Sequence, residues 1–269
     1  AVGNSRDILK DFNTDGFTII DARDKAVLPG FVDSHTHFIF GGYRPDEFAW
    51  RLRGDSYMDI MNRGGGIANS VAATRSASEE SLTALGLKRL DSMMAFGVTT
   101  VEGKSGYGLD LATEVKQLSV MKALKDRHPL DIAATFLGAH ATPIEFTGKP
   151  DAFIDHVMEM LPLVAEKGLA EFCDVFCEKN VFSVAQSRRL LVRAKALGLK
   201  SKIHADEIVQ LGGAELAAEL GAVSADHLLQ ASDQGIMDMA RAGVVATLLP
   251  GTAFSLKEAY ARGRYMIDQ

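Results

Sequence analysis

The chain is poor in cysteine: only Cys173 and Cys177 occur among 269 residues. On one extended strand they would lie roughly 13 Å apart, too far to bridge. A disulfide-built fold is therefore excluded, and both read as small buried residues. No apolar run approaches the length of a membrane span, and no secretory leader opens the chain. There is no basic stripe. The net charge is −6 with acids and bases interspersed, which argues against nucleic acid as a partner. Gly64-Gly65-Gly66 lacks an adjoining Gly-Lys-Ser/Thr, so a nucleotide phosphate loop is not indicated. A soluble cytoplasmic protein fits these absences. The first residue is not Met, Ala1-Val2-Gly3 reads like the end of a strand, and Arg264 to Gln269 finish a helix. The chain is accordingly expected to be an internal piece, with its last structural unit missing.

What is present is an apolar inventory of 47%, enough for one large domain with a substantial core. One pattern repeats: a helical stretch ends at glycine and a β-rich apolar run follows. Gly97, Gly168, Gly198, Gly221 and Gly243 each occupy such a junction, where glycine suits the left-handed position that ends a helix. The intervening helices have the right period: Phe153, Val157, Met160, Leu161 and Val164 share one face, as do Leu190, Leu191, Ala194 and Leu197. Ser183 with Gln186 forms a capping box. Strands over 26–33 and 131–137 bring the count to seven.

Alternating βα units imply a parallel sheet. The expected fold is α/β, a (β/α)8 TIM-like barrel over residues 26–269 lacking its last unit. Residues 1–25 are expected to be a remnant of a small β-sandwich domain. An open doubly wound sheet would want a Gly-rich loop after the first strand, where His35-Thr36-His37 stands instead. Residues 38–78 form a long insertion, an active-site wall or lid in this reading.

In such a barrel the C-terminal strand ends converge on one mouth. Those ends carry five of the seven histidines: His35, His37, His140, His204 and His227. His128 and His156 are read as surface residues. His35 and His37 point the same way on an extended strand and can face one ion. With His204 they make three neutral ligands and leave open positions, the pattern of a catalytic metal site. Such an ion lowers the pKa of bound water. Glu207 can handle a proton there, or act as a helix-start acid. His227 can polarise the water, or hydrogen-bond to Asp226. Arg44, Tyr107 and His140 together suit a carboxylate. Taken singly, Arg44 could equally pair with Asp46 or Glu47, and Tyr107 could pack over its Gly-rich turn.

Pro29-Gly30-Phe31-Val32-Asp33-Ser34-His35-Thr36-His37 resembles the first-strand signature of the amidohydrolase superfamily. Lys104-Ser105-Gly106-Tyr107-Gly108-Leu109, Gly138-Ala139-His140-Ala141, His204-Ala205-Asp206-Glu207 and Ser224-Ala225-Asp226-His227-Leu228 resemble its imidazolonepropionase family, in order and along nearly the whole chain. Phe40-Gly41-Gly42-Tyr43-Arg44 and Asp174-Val175-Phe176-Cys177-Glu178 add to this. The resemblance implies one divalent metal, zinc or iron, on His35, His37 and His204. A fourth, aspartate ligand would come from strand eight, for which no residue here matches. It implies substrate contacts from Arg44, Tyr57, Tyr107, His140 and Glu207, with Glu207 and His227 moving protons. The implied reaction opens 4-imidazolone-5-propanoate, a small substrate bearing a carboxylate, to N-formimino-L-glutamate. A homodimer is compatible with the sequence. The alternatives are another mononuclear amidohydrolase, such as a nucleobase deaminase, and a non-enzymatic assembly protein of the same fold. Dinuclear relatives use a lysine on strand four, and only Lys179 lies near that position.

Overall fold

The computed structural model describes residues 3–55, 63 and 65–269. The chain divides into Ala1–Gly30 and Phe31–Gln269. The first unit holds helix α1 (Ser5–Asp11), opened by the Asn4 side chain accepting the Arg6 N–H at 3.0 Å. No strand occurs among its described residues.

The second unit is a parallel sheet of seven strands in sequential order: β1 (Phe31–Thr36), β2 (Val98–Lys104), β3 (Asp131–Ala139), β4 (Phe172–Cys177), β5 (Lys200–Ala205), β6 (Ser224–His227) and β7 (Val245–Thr247). Every neighbouring pair is parallel, and the sheet curls into a nearly closed barrel. Around it lie α4 (Glu79–Ala95), α5 (Leu111–Lys125), α6 (Pro150–Glu166), α7 (Val184–Ala196), α8 (Gly213–Leu220) and α9 (Asp233–Ala242). Short helices α10 (Pro250–Leu256) and α11 (Gly263–Asp268) follow β7.

Local chemistry explains the element ends. All five junction glycines adopt left-handed φ, from 56° at Gly168 to 88° at Gly198. The Ser183–Gln186 capping box starts α7, with both reciprocal bonds made. The predicted apolar face of α6 (Phe153, Val157, Met160, Leu161 and Val164) is buried against the sheet. Burying such side chains stabilises by roughly 1.5–3 kcal/mol each.

Three expectations shift. The first strand begins at Phe31 rather than at residue 26. Pro29 has no N–H to give a ladder, and the first donation is from Phe31 N to Gly97 O at 2.9 Å. The 38–78 insertion, read as an active-site wall or lid, is not loop throughout its described residues: α2 (Pro45–Arg53) and α3 (Ile67–Ser76) form within it. His128 is buried, not a surface residue: its ring Nε2 lies 3.3 Å from Asp91, and its Nδ1 accepts the Leu130 N–H at 3.2 Å.

Between β1 and β7, which do not pair, a cavity of about 590 Å³ runs along Phe31, Val32, Asp33 and His35 on one side and Thr247 to Leu249 on the other. The strands at this gap expose apolar side chains: Phe31 is 56% exposed, Val32 65% and Val245 60%.

Candidate active site and metal centre

The strand ends bring all five predicted histidines into one cluster. His35 lies 4.6 Å from His204 and 5.4 Å from His37, centroid to centroid, and His37 lies 5.8 Å from His204. His227 is 5.1 Å from both His35 and His204. His140 stacks on His37 at 4.8 Å. Two triads have nitrogen atoms all within 4.8 Å of one another: His35–His204–His227 and His37–His140–His204. The sequence-predicted set His35–His37–His204 straddles these two, with His204 common to both.

The second nitrogens of these rings are held. His35 Nδ1 donates to Asp226 Oδ2 at 2.6 Å, His37 Nδ1 to the Ser105 carbonyl at 3.3 Å, and His140 Nδ1 to the Gly106 carbonyl at 3.1 Å. That fixes the tautomer and leaves each Nε2 as a lone-pair donor. Burial, reinforced by the neighbouring rings, holds His35 down to about 4 and His140 to about 3, with Asp226 only partly offsetting it for His35. His37 and His227 are depressed by the same burial. The rings are therefore neutral at pH 7, as ligation requires. His204 Nδ1 is buried 2.9 Å from Asp174 Oδ2 but out of line for a hydrogen bond, so it has no aligned partner. An orphaned imidazole nitrogen among neutral imidazoles is the donor chemistry that a borderline divalent cation fits.

Glu207 lies beside this cluster, 3.3 Å from His227 Nδ1. Burial raises its carboxyl above the ordinary value, against the pull of His204. The two strand ends that place these groups are strained: Asp206, just after β5, and His227, at the end of β6, adopt positive φ, 49° and 75°. Non-glycine residues in that region cost about 1–3 kcal/mol and concentrate at functional sites. Asp206 compensates by accepting four backbone N–H bonds, from Leu211 to Ala214, at the start of α8.

The second predicted group splits. Tyr107 is 5.5 Å from both His37 and His140, so it joins the histidine cluster. It also lines a cavity of about 370 Å³ with Arg44, Phe40, Tyr43 and Ser70. Burial raises the Tyr107 phenol and Arg44 lowers it, placing the guanidinium beside it. Arg44 also pairs with Glu47 at 3.0 Å, as the salt-bridge alternative foresaw, and Glu47 accepts the Gly66 N–H at 2.8 Å. Tyr57 lies outside the described residues.

The loop carrying Tyr107 is built by α5. Glu114 accepts the N–H groups of Gly106 at 3.0 Å, Gly108 at 2.8 Å and Leu109 at 2.9 Å. Gly106 has φ 103°, and a Cβ there would sit 2.9 Å from the Leu137 carbonyl and 3.0 Å from His140. Only glycine fits that turn.

One group went unread in the sequence. Lys104 is fully buried inside the barrel and donates to Glu102 at 2.9 Å and Asp174 at 2.8 Å, with Asp226 at 3.1 Å. Lys202 pairs with the other Glu102 oxygen at 2.7 Å. Burial disfavours the Lys104 ammonium, but the Asp174, Asp226 and Glu102 carboxylates outweigh it and raise its pKa. The signal was polar residues at period two within the strands: Glu102 and Lys104, Lys202 and His204, Ser224 and Asp226.

A sequence model of the amidohydrolase family matches residues 18–75. Over all 269 residues the chain is 65% identical to an imidazolonepropionase of Clostridium tetani, covering 100% of this chain and 64% of that protein. The chain is closely similar in sequence to enzymes named imidazolonepropionase. A second enzyme of that name, from Phocaeicola vulgatus, is 64% identical over 256 residues, which are 94% of this chain and 62% of that one. The chain thus spans about 64% of the length of the first of these relatives. Among solved structures, an adenine deaminase from Arthrobacter aurescens superposes with a TM-score of 0.62 at 15% identity, over 90% of this chain and 79% of that one. A triazine hydrolase gives 0.65 at 15% identity, over 90% and 57%. At such identity these establish the barrel fold and nothing finer.

Proposed function

We propose that the protein is a metal-dependent hydrolase that cleaves a ring C–N bond of 4-imidazolone-5-propanoate, giving N-formimino-L-glutamate. The observation that carries this is the juxtaposition of two unlike groups at one barrel mouth. His35, His37 and His204 converge beside Glu207 and His227, and His140 and Tyr107 join them to Arg44. One half suits a ring carbonyl and the other a propionate.

His35, His37 and His204 would hold one divalent ion, zinc or iron. That ion supplies a water of lowered pKa, ready as hydroxide near neutral pH. Glu207, its carboxyl raised by burial, would accept a proton from the attacking water and return it to the departing ring nitrogen. His227, whose Nδ1 lies 3.3 Å from Glu207, orients that carboxylate beside the attacking water. Arg44, Tyr107 and His140 hold the tail, an anion well matched by a guanidinium and a phenol. Tyr57 is assigned to the same substrate by resemblance.

A nucleobase deaminase would use His204 and Glu207 equally well but has no anion for Arg44. A non-enzymatic assembly protein of this fold has no use for the histidine cluster. Purified protein should therefore carry one zinc or iron per subunit, lost in His204→Ala, and should open the imidazolone ring. Two tightly held ions per subunit, or deamination of a neutral base without ring opening, would overturn the reading.

No helix among the described residues is long and apolar enough to cross a membrane. We place the protein in the cytoplasm, acting on a small-molecule substrate and not on nucleic acid; a homodimer is compatible with its sequence. Residues 1–25 are assigned to a small β domain and 26–269 to the catalytic barrel.

A further inference from the structure

Lys104 takes no part in the reaction as proposed, yet it is among the largest fully buried side chains of the described residues and carries a charge. Removing an ammonium from water costs several kcal/mol, and a buried pair is retained only where its geometry is well satisfied. Here the geometry is specific. Asp226 Oδ2 meets Lys104 Nζ at 3.1 Å and the His35 Nδ1–H at 2.6 Å, so one oxygen joins the ammonium to the imidazole. Its other oxygen accepts from Ser224 Oγ at 2.8 Å. On the far side the ammonium is fixed by Asp174 Oδ2 at 2.8 Å, while Asp174 Oδ1 accepts the His204 backbone N–H at 3.1 Å. Glu102, itself held by Lys202 and Thr135, closes the cage. The carboxylates beneath the cluster are thus held on the Lys104 ammonium.

We propose that Lys104 is a positioning residue: through Asp226 it fixes the tautomer and aim of His35, so that Nε2 of that ring is preset for the metal. This rests on the metal reading given above. Without the ammonium, Asp226 would be free to rotate from His35, leaving the tautomer and aim of that ring unset, which would weaken affinity and change the ligand field. Outer-shell partners of metal-bound histidines are worth about 10–100-fold in affinity when removed.

The test uses apo protein and zinc alone, titrated against a chromophoric chelator, with cobalt(II) substitution for the visible spectrum. Lys104→Met is expected to bind zinc roughly 10–100-fold more weakly and to shift the cobalt bands, while His156→Ala, remote from the site, changes neither. Unaltered affinity and spectrum in Lys104→Met, or tighter binding with a second equivalent of zinc, would overturn the proposal. Should Lys104→Met fail to fold, Asp226→Asn and Lys104→Met/Asp226→Asn decide, since the double variant removes one charge of each sign. Equal zinc affinity in these two supports the route through Asp226, and a further tenfold loss in the double variant refutes it. Wild type that binds no zinc, iron or cobalt would instead sink the metal reading on which this rests.

Discussion

Replacing Glu207 by Gln separates chemistry from architecture. The side chain is buried, and burial raises its carboxyl pKa while His204 opposes the shift. Glutamine keeps the shape and one acceptor toward His227 but cannot take or return a proton. Positioned acid–base groups contribute about 10²–10⁴ in rate, so kcat should fall by that factor, roughly 2.7–5.4 kcal/mol at 1.36 kcal/mol per decade. KM should change little. Stability should move the other way. A carboxyl whose folded pKa is raised binds its proton more tightly in the native state. Ionising it above that pKa therefore costs stability, starting from the ordinary value of 4.5 upward. At pH 7 Glu207→Gln should be at least as stable as wild type. The pH profile adds a third readout. With His204, Glu178 and Glu258 as the charges acting on it and His227 in contact, Glu207 should give kcat an acid limb above the ordinary carboxylate value. That limb should vanish in the variant. The assay is steady-state hydrolysis of 4-imidazolone-5-propanoate against pH, with a thermal melt of each protein. A Glu207→Gln enzyme with full kcat would refute the role assigned to the carboxyl. A melt several degrees lower at pH 7 would refute the electrostatic argument.

Arg44→Ala removes one charge-assisted contact of about 1.5–3 kcal/mol and should raise KM roughly 10–150-fold with kcat nearly unchanged; kinetics with a substrate amide lacking the negative charge should show no such difference. Glu114→Ala leaves the N–H groups of Gly106, Gly108 and Leu109 unpaired. It should cost about 1–3 kcal/mol in denaturant unfolding and raise KM through Tyr107. Phe136→Ala, in the fully buried core, should cost about 3–5 kcal/mol by the same measurement. Chelation should lower the melting temperature of wild type, and added zinc should restore it; His204→Ala should respond to neither.

The parts legible in the sequence were those governed by local rules. Helix-ending glycines, the Ser183–Gln186 cap and the apolar face of α6 follow from backbone sterics and period, and they located the strand ends on which the histidines sit. The parts that escaped depend on contacts across the barrel. Lys104, Asp174 and Asp226 come from three strands, and only closure of the sheet shows that they share one cage. His128 was misplaced because its burial comes from tertiary packing near Asp91 rather than from its neighbours in sequence. Arg44 remained ambiguous because its local sequence offers Glu47 as a partner, with which it pairs, while its place beside Tyr107 is set by tertiary contact.

The most direct test is turnover of 4-imidazolone-5-propanoate by the metal-loaded protein, followed by loss of the imidazolone chromophore and identification of the product. The account predicts ring opening to N-formimino-L-glutamate, abolished by His204→Ala. Metal-loaded protein that leaves this substrate intact but deaminates a neutral nucleobase would contradict it.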